Sequence, residues 1–358
     1  MPKEKVHFIS SDPAQELHDV QDALKSHGSR IFVVIDDVFN HLPKPSSFTF
    51  FIEKNKNLTL SCGENGKTLV QAQILWSWLS ENSVEKTDFV WFIGGGTLCD
   101  LGGFCSSTFK RGIPFGFIPT TLLAMVDASI GGKNGINFNQ IKNNIGTFQH
   151  PHKVVIEPRW LETLPEYELF NGWMELCKHG LIGDATLWDE LINIQPKPGQ
   201  WDFTELISKG IAVKSQVVER DFLDHGERKK LNFGHTVGHA IESMSLKYGH
   251  RIGHGIAIGW GMIVALEWSM SDRNLPHDHP MKQAQSWLRK ILVSDAVAND
   301  LEHIKEFEMG ELWAFMAHDK KNSNHHVLDV KLLDIGKAKW DEPLDFESFQ
   351  KAWKKAFD

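Results

Sequence analysis

The sequence predicts a two-domain protein, with an α/β domain over residues 1–158 and an α-helical domain over residues 159–358. Before residue 158, short apolar runs alternate with helical segments, which is typical of strands buried on both faces of a parallel or mixed sheet. After residue 158, apolar residues recur with the 3.6-residue period of helices. The length of 358 residues suits two domains and allows a large core without disulfides.

The predicted strands of the first domain span residues 31–35, 89–93, 115–118 and 153–156. Ligands of parallel sheets bind beyond the carboxyl ends of the strands, where polar residues and glycines follow here. The predicted helices of the second domain span residues 168–181, 203–220, 235–245, 254–270, 280–293 and 346–357. The longest apolar stretch, 255–268, is short and carries Glu267, so we expect a buried helix rather than a membrane span.

Composition excludes some classes of function. The net charge of −8 gives no electrostatic support for nucleic-acid binding. The four cysteines form no CxxC motif, so buried reduced thiols are expected. The N-terminal residues lack the apolar core of a signal peptide, and we therefore expect a cytoplasmic protein with no membrane partner.

A glycine-rich segment at residues 94–103 follows a predicted strand and leads into a predicted helix. Glycines there would let backbone N–H groups approach a pyrophosphate at the helix N-terminus. The common G-x-G-x-x-G frame meets Cys99 at its third glycine position, so a tight strand-to-helix turn is an equally good interpretation. Asp36, at the end of another strand, is a candidate ribose ligand or a turn cap.

His235 and His239 lie four residues apart in an apolar, helix-compatible run, which places both rings on one helix face. Two such imidazoles can share a metal ion, or one can bind metal while the other moves protons. The pair alone is a weak signal among 18 histidines, but the His254-Gly255 step opens a second apolar run. Glu175 and Lys178 are one helical turn apart in a partly buried segment, although a surface ion pair is the usual reading of that spacing.

Several cations recur through the chain at Lys214, Arg228 and the Lys320-Lys321 pair. Taken singly, each is typical of a solvated surface charge. Taken together, they suit a substrate that carries both phosphate and carboxylate groups.

The chain resembles the 3-dehydroquinate synthase family within the sugar-phosphate cyclases. The matching blocks occur in the family's order between about residues 60 and 325: GGGTLCDLGGF, TFKRGIPF, PTTLLAMVDASIGGKNGIN, KNNIGTF, LETLPEYEL, NGWMELCKHGLI, LNFGHTVGHAIE, HGIAIGWGM and DKKN. The resemblance implies a Rossmann-like NAD-binding domain over residues 1–158 and a helical metal- and substrate-binding domain over residues 159–358. It also implies a divalent metal, zinc or cobalt, and a homodimer.

Carried over position by position, the resemblance implies that Glu175, His235 and His254 bind the metal and that His239 transfers protons. The implied NAD contacts are Asp36, Glu64, Lys67, Gly95, Gly96, Thr97, Asp100, Thr120, Thr121, Lys142, Trp160 and Thr163. The implied catalytic and substrate-binding residues are Asp127, Lys133, Asn143, Asn171, Lys178, Lys214, Arg228 and Asn232, together with Lys321 in preference to Lys320. Arg111 matches an arginine that reaches the substrate phosphate from the neighbouring subunit.

Two positions depart from the family pattern. Asp224 stands where the family often has the longer glutamate, and the separation of His235 and His254 is slightly longer than usual. The implied reaction converts 3-deoxy-D-arabino-heptulosonate 7-phosphate to 3-dehydroquinate and phosphate by NAD-mediated oxidation, β-elimination, reduction and aldol cyclisation. The alternatives are another sugar-phosphate cyclase, a glycerol-type metal-dependent alcohol dehydrogenase, and a nucleotide-binding sensor without activity.

Overall fold

The computed structural model describes residues 5–8, 19, 21–22, 28–63, 66–139, 141–199, 202–294, 297, 299–317 and 327–357. The chain forms two compact units. The first consists of Met1–Leu164 with Pro198–Ile207, and the second consists of Pro165–Lys197 with Ser208–Asp358. The two units are defined by compactness, whereas the boundary predicted between residues 158 and 159 separates domains that fold independently. That boundary stays a prediction.

The first unit contains a six-stranded sheet and a separate hairpin. The strands are β1 (Lys5–Phe8), β2 (Ile31–Asp36), β3 (Lys56–Leu60), β4 (Phe89–Gly94), β5 (Phe115–Pro119), β6 (Lys133–Phe138), β7 (Ile141–Phe148) and β8 (Lys153–Ile156). The sheet order is β1-β8-β5-β4-β2-β3. All neighbouring strands run parallel, which confirms the α/β prediction.

The central strands form because their residues are apolar on both faces. Every residue of β4 and β5 is buried, as expected for a parallel sheet covered by helices. Among the described residues, the helices that accompany the sheet are α1 (Ser46–Lys54), α2 (Leu69–Glu81) and α3 (Gly96–Thr108). Helix α3 follows β4 directly, so the glycine-rich segment is a strand-to-helix connection as predicted.

The antiparallel β6–β7 hairpin was not predicted. Its strands contain glycines, asparagines and lysines, and β7 is mostly exposed, so they lack the apolar runs of the main sheet. The pairing joins Lys133 to Phe148 and Asn134 to Thr147, and places the predicted site residues of this segment on one ribbon.

The second unit is built mainly of helices. They are α4 (Glu166–Gly183), α5 (Ala185–Leu191), α6 (Thr204–Arg220), α7 (His235–Lys247), α8 (His254–Met270), α9 (Pro280–Leu292), α10 (Asn299–Lys305), α11 (Met309–Ala317) and α12 (Phe346–Phe357). One of them, α6, has its residues 204–207 in the first unit. The six predicted helices are all present, with shifts of a few residues at most. An antiparallel hairpin of β9 (Val327–Asp334) and β10 (Lys337–Leu344) was not predicted.

Helix α8 is the centre of the second unit. It is buried on almost every side, and α4, α7, α9, α12 and β9 pack against it. This confirms that residues 254–270 form a buried helix. Within the described part of the chain, no helix combines the length and the apolar character needed to cross a membrane.

Helices α7 and α8 approach each other closely because glycines line their contact. Gly234 precedes α7 with a φ of 77°, in the left-handed region that favours glycine. A Cβ atom on Gly261 of α8 would lie 2.0 Å from the carbonyl oxygen of Gly234. The backbones of the two helices therefore touch near the point where α7 begins at His235.

Substitution of Gly261 by alanine tests this contact. Because the new methyl group would overlap the Gly234 carbonyl, we expect Gly261→Ala to lower the free energy of unfolding by about 1–3 kcal/mol. Gly310→Ala is the matched control, since its Cβ would meet no atom within 4 Å and helix propensity alone predicts no loss. Chemical denaturation of both variants measures the difference, and equal stability would contradict the close contact.

Candidate active site

The carboxylate of Glu175 lies in the middle of α4 and is 0% exposed to solvent. One turn along the same helix, Lys178 is also buried and forms an ion pair with it. The usual surface pair at this spacing is therefore not what the structure contains. A buried carboxylate is costly unless cations or metals surround it, so Glu175 is a candidate functional residue.

Two histidines from other helices meet the same carboxylate. Nε2 of His235 lies 3.6 Å from Oε1 of Glu175, and Nε2 of His254 lies 3.5 Å from that oxygen. One ligand atom from each of the three residues lies within 4.8 Å of the other two. One carboxylate oxygen and two imidazole nitrogens form a donor set typical of catalytic zinc sites. The three residues thus fit the metal site that the sequence implied.

The far side of the His254 ring is held by a residue that the sequence analysis did not select. Nδ1 of His254 lies 3.1 Å from Oε2 of Glu242, which is buried on α7. Burial lowers the pKa of His254, but the charges and hydrogen bonds of Glu242 and Glu175 outweigh this and raise the pKa to about 10. The two carboxylates therefore favour positive charge at this position. Glu242 is the last residue of the LNFGHTVGHAIE block, and its place in this family motif is the sequence signal that could have identified it.

A second group of potential ligands overlaps the first. His239, Glu242 and His254 also bring one ligand atom each within 4.8 Å of one another. The ring centroid of His239 lies 5.3 Å from that of His235 and 5.9 Å from that of His254. Metal-binding histidines commonly donate a hydrogen bond from the N–H of their second ring nitrogen to a carboxylate, and Nδ1 of His254 is placed to do so with Glu242. That arrangement favours the Glu175 group as the metal site.

Three cations of the predicted substrate site are buried in the second unit. Lys178, Lys214 and Arg228 are 1%, 6% and 2% exposed, so the expectation of a solvated surface charge is wrong for Lys214 and Arg228. The Arg228 guanidinium donates a hydrogen bond of 2.6 Å to the backbone carbonyl of Phe222. Buried cations suit the recognition of an anionic ligand.

Asp221 organises the turn that leads to Arg228. Its carboxylate accepts hydrogen bonds from the backbone N–H groups of His225, Gly226 and Arg228. Its own desolvation raises its pKa, and these three bonds lower the pKa below the usual value.

Asp224, which stands where the family often has glutamate, has a left-handed φ of 62°. It lines a cavity of about 300 Å³ with Lys229, Asn232, Thr236, Leu328, Asp329, Val330 and Asp341.

Asn171 makes contacts within the second unit that serve the fold. Its Oδ1 accepts a hydrogen bond from the N–H of Ile256, and its Nδ2 donates to the carbonyl of Tyr167. The side chain is buried and joins α4 to the first turn of α8. Its role in substrate binding stays a prediction.

In the first unit, the glycine turn places the start of α3 at the carboxyl end of the sheet. Strand β4 ends at Gly94, Gly95 is the N-cap, and α3 begins at Gly96. The N–H of Thr120 donates to the Gly94 carbonyl, so the ends of β4 and β5 lie together. Glycine at the cap leaves the helix N-terminus without a side chain over it, which is the geometry of a phosphate site.

Polar residues near this turn match several implied NAD contacts. Asp36 ends β2, and its carboxylate accepts a hydrogen bond from the N–H of Val38, so it caps the following turn. Burial raises its pKa to about 6, and the Val38 bond opposes this in part. Lys67 is buried and forms an ion pair with Asp100 of α3. The structure thus brings these two predicted contacts together.

The remaining predicted residues of the first unit have varied surroundings. Asp127 lies in a π-helical turn, a form frequent at functional sites. Trp160 is buried against the rings of Phe39 and Phe48, where it contributes to the core. Arg111 is exposed in a turn with a φ of 65°. The β6–β7 hairpin carries Lys133, Lys142 and Asn143. The Thr121 hydroxyl accepts a hydrogen bond from the N–H of Ala124. The Thr163 hydroxyl donates one to the carbonyl of Trp160. Glu64, Lys320 and Lys321 lie outside the described residues.

Sequence comparison identifies the family. Residues 57–171 match the profile of the N-terminal part of 3-dehydroquinate synthase, and residues 172–322 match that of its C-terminal part. The chain belongs to the 3-dehydroquinate synthase family. It is 33% identical to a 3-dehydroquinate synthase of Parabacteroides distasonis, an alignment that covers 98% of this chain and 99% of the relative.

Solved structures of related cyclases share the fold. A 2-epi-5-epi-valiolone synthase from Streptomyces hygroscopicus subsp. jinggangensis, solved with NAD+ and Zn2+ bound, aligns with a TM-score of 0.83 at 21% identity. That alignment covers 99% of this chain and 97% of the neighbour. A 2-deoxy-scyllo-inosose synthase complexed with carbaglucose-6-phosphate, NAD+ and Co2+ aligns with a TM-score of 0.76 at 20% identity, over 98% of this chain and 96% of that one. Membership of the 3-dehydroquinate synthase family and this fold agree with the resemblance noted from the motifs.

Proposed function

We propose that the chain acts as a 3-dehydroquinate synthase, which converts 3-deoxy-D-arabino-heptulosonate 7-phosphate to 3-dehydroquinate and phosphate. The observation that carries the proposal is the buried Glu175 carboxylate, with two histidines and Lys178 around it, in a chain matching both parts of the family profile. The reaction belongs to the shikimate route of aromatic amino acid biosynthesis.

Glu175, His235 and His254 would hold a zinc or cobalt ion, the metals present in the solved neighbours. The N-terminus of α3 would hold the NAD pyrophosphate through Gly95, Gly96 and Thr97. When bound, the metal would polarise a substrate hydroxyl, and NAD would supply hydride acceptance and return at the carbon that bears this hydroxyl. The further NAD contacts in this proposal are Asp36, Lys67, Asp100, Thr120, Thr121, Lys142, Trp160 and Thr163.

The cations of this chain would orient the substrate and stabilise charge. The substrate carries a phosphate and a carboxylate, and Lys178, Lys214 and Arg228 offer buried positive charge for such groups. Oxidation of the substrate hydroxyl would give a ketone, which makes the neighbouring C–H more acidic. Fixed cations would stabilise the negative charge that develops when this proton is removed. Asn232, Asp127, Lys133 and Asn143 complete the proposed set of substrate contacts.

His239 is the proposed proton-transfer residue. It lies one turn after His235 on α7, near the metal site but outside the Glu175 ligand group. An imidazole titrates near neutral pH and can accept and return a proton during turnover. Asp224 is the proposed second proton carrier, with a shorter side chain than the family's usual glutamate.

The set of buried cations also separates this proposal from its alternatives. A dehydrogenase of the glycerol type oxidises a neutral alcohol and has no need for Lys178, Lys214 and Arg228. A cyclase for a substrate without a carboxylate would need fewer cations. We further propose a cytoplasmic homodimer: the four buried free cysteines suit a reducing compartment, and Arg111 is exposed as a contact with a partner requires.

The first prediction from the proposed function concerns the role of NAD. Because the same carbon is oxidised and then reduced, phosphate release should exceed added NAD many-fold without a steady rise in NADH absorbance. The assay uses purified protein, the heptulosonate phosphate, zinc and trace NAD, with phosphate and absorbance followed together. Stoichiometric NADH accumulation would instead favour the dehydrogenase.

The second prediction separates the two histidines of α7. His235→Ala should lose bound metal, because it removes one of three ligands. His239→Ala should retain metal and NAD but lose turnover by roughly 10²–10⁴-fold, the usual contribution of an acid–base group. Metal analysis after gel filtration provides the comparison. Loss of metal from His239→Ala alone would instead favour the group of His239, Glu242 and His254.

The third prediction concerns assembly. Arg111→Ala should weaken binding of the phosphorylated substrate while NAD and metal binding persist. When it is mixed with Lys178→Ala under conditions of subunit exchange, hybrid dimers should contain one site with both Lys178 and Arg111 intact. Activity should then reappear. If mass measurements show exchange and no activity returns, Arg111 does not complete a partner's site.

A further inference from the structure

One face of α4 contacts the first turn of α8 through three side chains. Tyr167, Asn171 and Glu175 are spaced four residues apart, so they follow one another along the same helix face. The N–H of Gly253 donates to the Tyr167 hydroxyl oxygen at 2.6 Å, and the N–H of Ile256 donates to Oδ1 of Asn171 at 3.3 Å. The third residue, Glu175, lies 3.5 Å from Nε2 of His254.

These contacts satisfy a need of α8. The first N–H groups of a helix have no partner within the helix, and a side chain at the N-cap usually supplies one. Here the N-cap is Gly253, which has no side chain. Tyr167 and Asn171 supply the missing acceptors from a neighbouring helix. The two N–H groups that they bind, of Gly253 and Ile256, lie on either side of His254 in the sequence.

Asp300 fixes the orientation of the Tyr167 hydroxyl. The Tyr167 hydroxyl donates a hydrogen bond to Oδ2 of Asp300, with 3.0 Å between the two oxygens. The other carboxylate oxygen, Oδ1, lies 3.0 Å from Nε2 of His250. Asp300 is only 5% exposed. Because a phenol has one hydrogen, donation to Asp300 leaves the hydroxyl oxygen as the acceptor for the Gly253 N–H.

The backbone at the start of α8 has little room to shift. A Cβ atom on Gly253 would lie 2.4 Å from Oδ1 of Asn171, so the loop approaches α4 as closely as a glycine allows. His250 lies in the same loop, between α7 and α8. Its ring contacts Asp300, so this loop has a second contact besides the bond from Gly253 to Tyr167. The backbone before His254 is therefore held at Gly253 and at His250.

We propose that Tyr167, oriented by Asp300, is a positioning residue for His254 in the metal site. The pair sets the backbone from which the His254 ring reaches towards Glu175, while Glu242 sets the rotation of the ring. This inference rests on the metal site assigned in the proposed function. Supporting groups of this kind typically change metal affinity by about 10–100-fold.

The test compares the two tyrosines of the chain. Tyr167→Phe removes only the hydroxyl group, and we expect zinc affinity, measured by competition with a chelating indicator, to fall about 10-fold or more. The matched control is Tyr248→Phe, which removes a hydroxyl bonded to Glu311 on a residue that is 60% exposed, and its zinc affinity should equal that of the wild type. The visible spectrum of the cobalt-loaded proteins should change for Tyr167→Phe and not for Tyr248→Phe.

The outcomes separate this proposal from the proposed function. If the wild-type protein binds no zinc, the assignment of the metal site fails. If the wild type binds zinc and Tyr167→Phe binds it within twofold, the positioning role is wrong and the metal site stands. A lower melting temperature of metal-free Tyr167→Phe with unchanged zinc affinity would also overturn the positioning role. Should Tyr167→Phe not fold, Asp300→Ala, which removes the acceptor of the Tyr167 hydroxyl hydrogen, is judged by zinc affinity and by the spectrum of the cobalt-loaded protein.

Discussion

The burial of the Glu175 carboxylate is the constraint on which the second unit depends. A charged carboxylate removed from water is destabilising by several kcal/mol unless cations or a metal ion compensate for it. Lys178 supplies one compensating charge from the same helix, and His235 and His254 bring imidazoles from two other helices. Helices α4, α7 and α8 must therefore meet at one point, and the contact of Gly261 with Gly234 allows α7 and α8 to do so.

Much of the fold could be predicted because its signals are local. Helix α8 was predicted with the bounds that the structure has, since an apolar run of this length is too long for a strand and indicates a buried helix. The parallel strands ending at Asp36 and Gly94 were predicted from apolar runs in the same way. The two hairpins were missed because β7 and β10 are polar and mostly exposed or half-buried, so they lack the continuous apolar runs of the main sheet.

The site shows the same division between local and distant information. Glu175, His235 and His254 were found because each lies in a recognisable motif, and the structure brings the three together. Tyr167 and Asp300 were missed because they act through a contact between residues 133 positions apart. Spacing along one helix can indicate a shared face, but it cannot show which loop meets that face. The burial of Lys214 and Arg228 was likewise invisible in the sequence, where each resembles a surface charge.

A crystal structure of the zinc-loaded protein, with anomalous diffraction data at the zinc absorption edge, tests the metal site most directly. We expect one anomalous peak bound by the carboxylate of Glu175 and by Nε2 of both His235 and His254, with Glu242 bonded to Nδ1 of His254. A peak bound instead by His239, Glu242 and His254, with Glu175 paired only to Lys178, would contradict this assignment of the metal ligands.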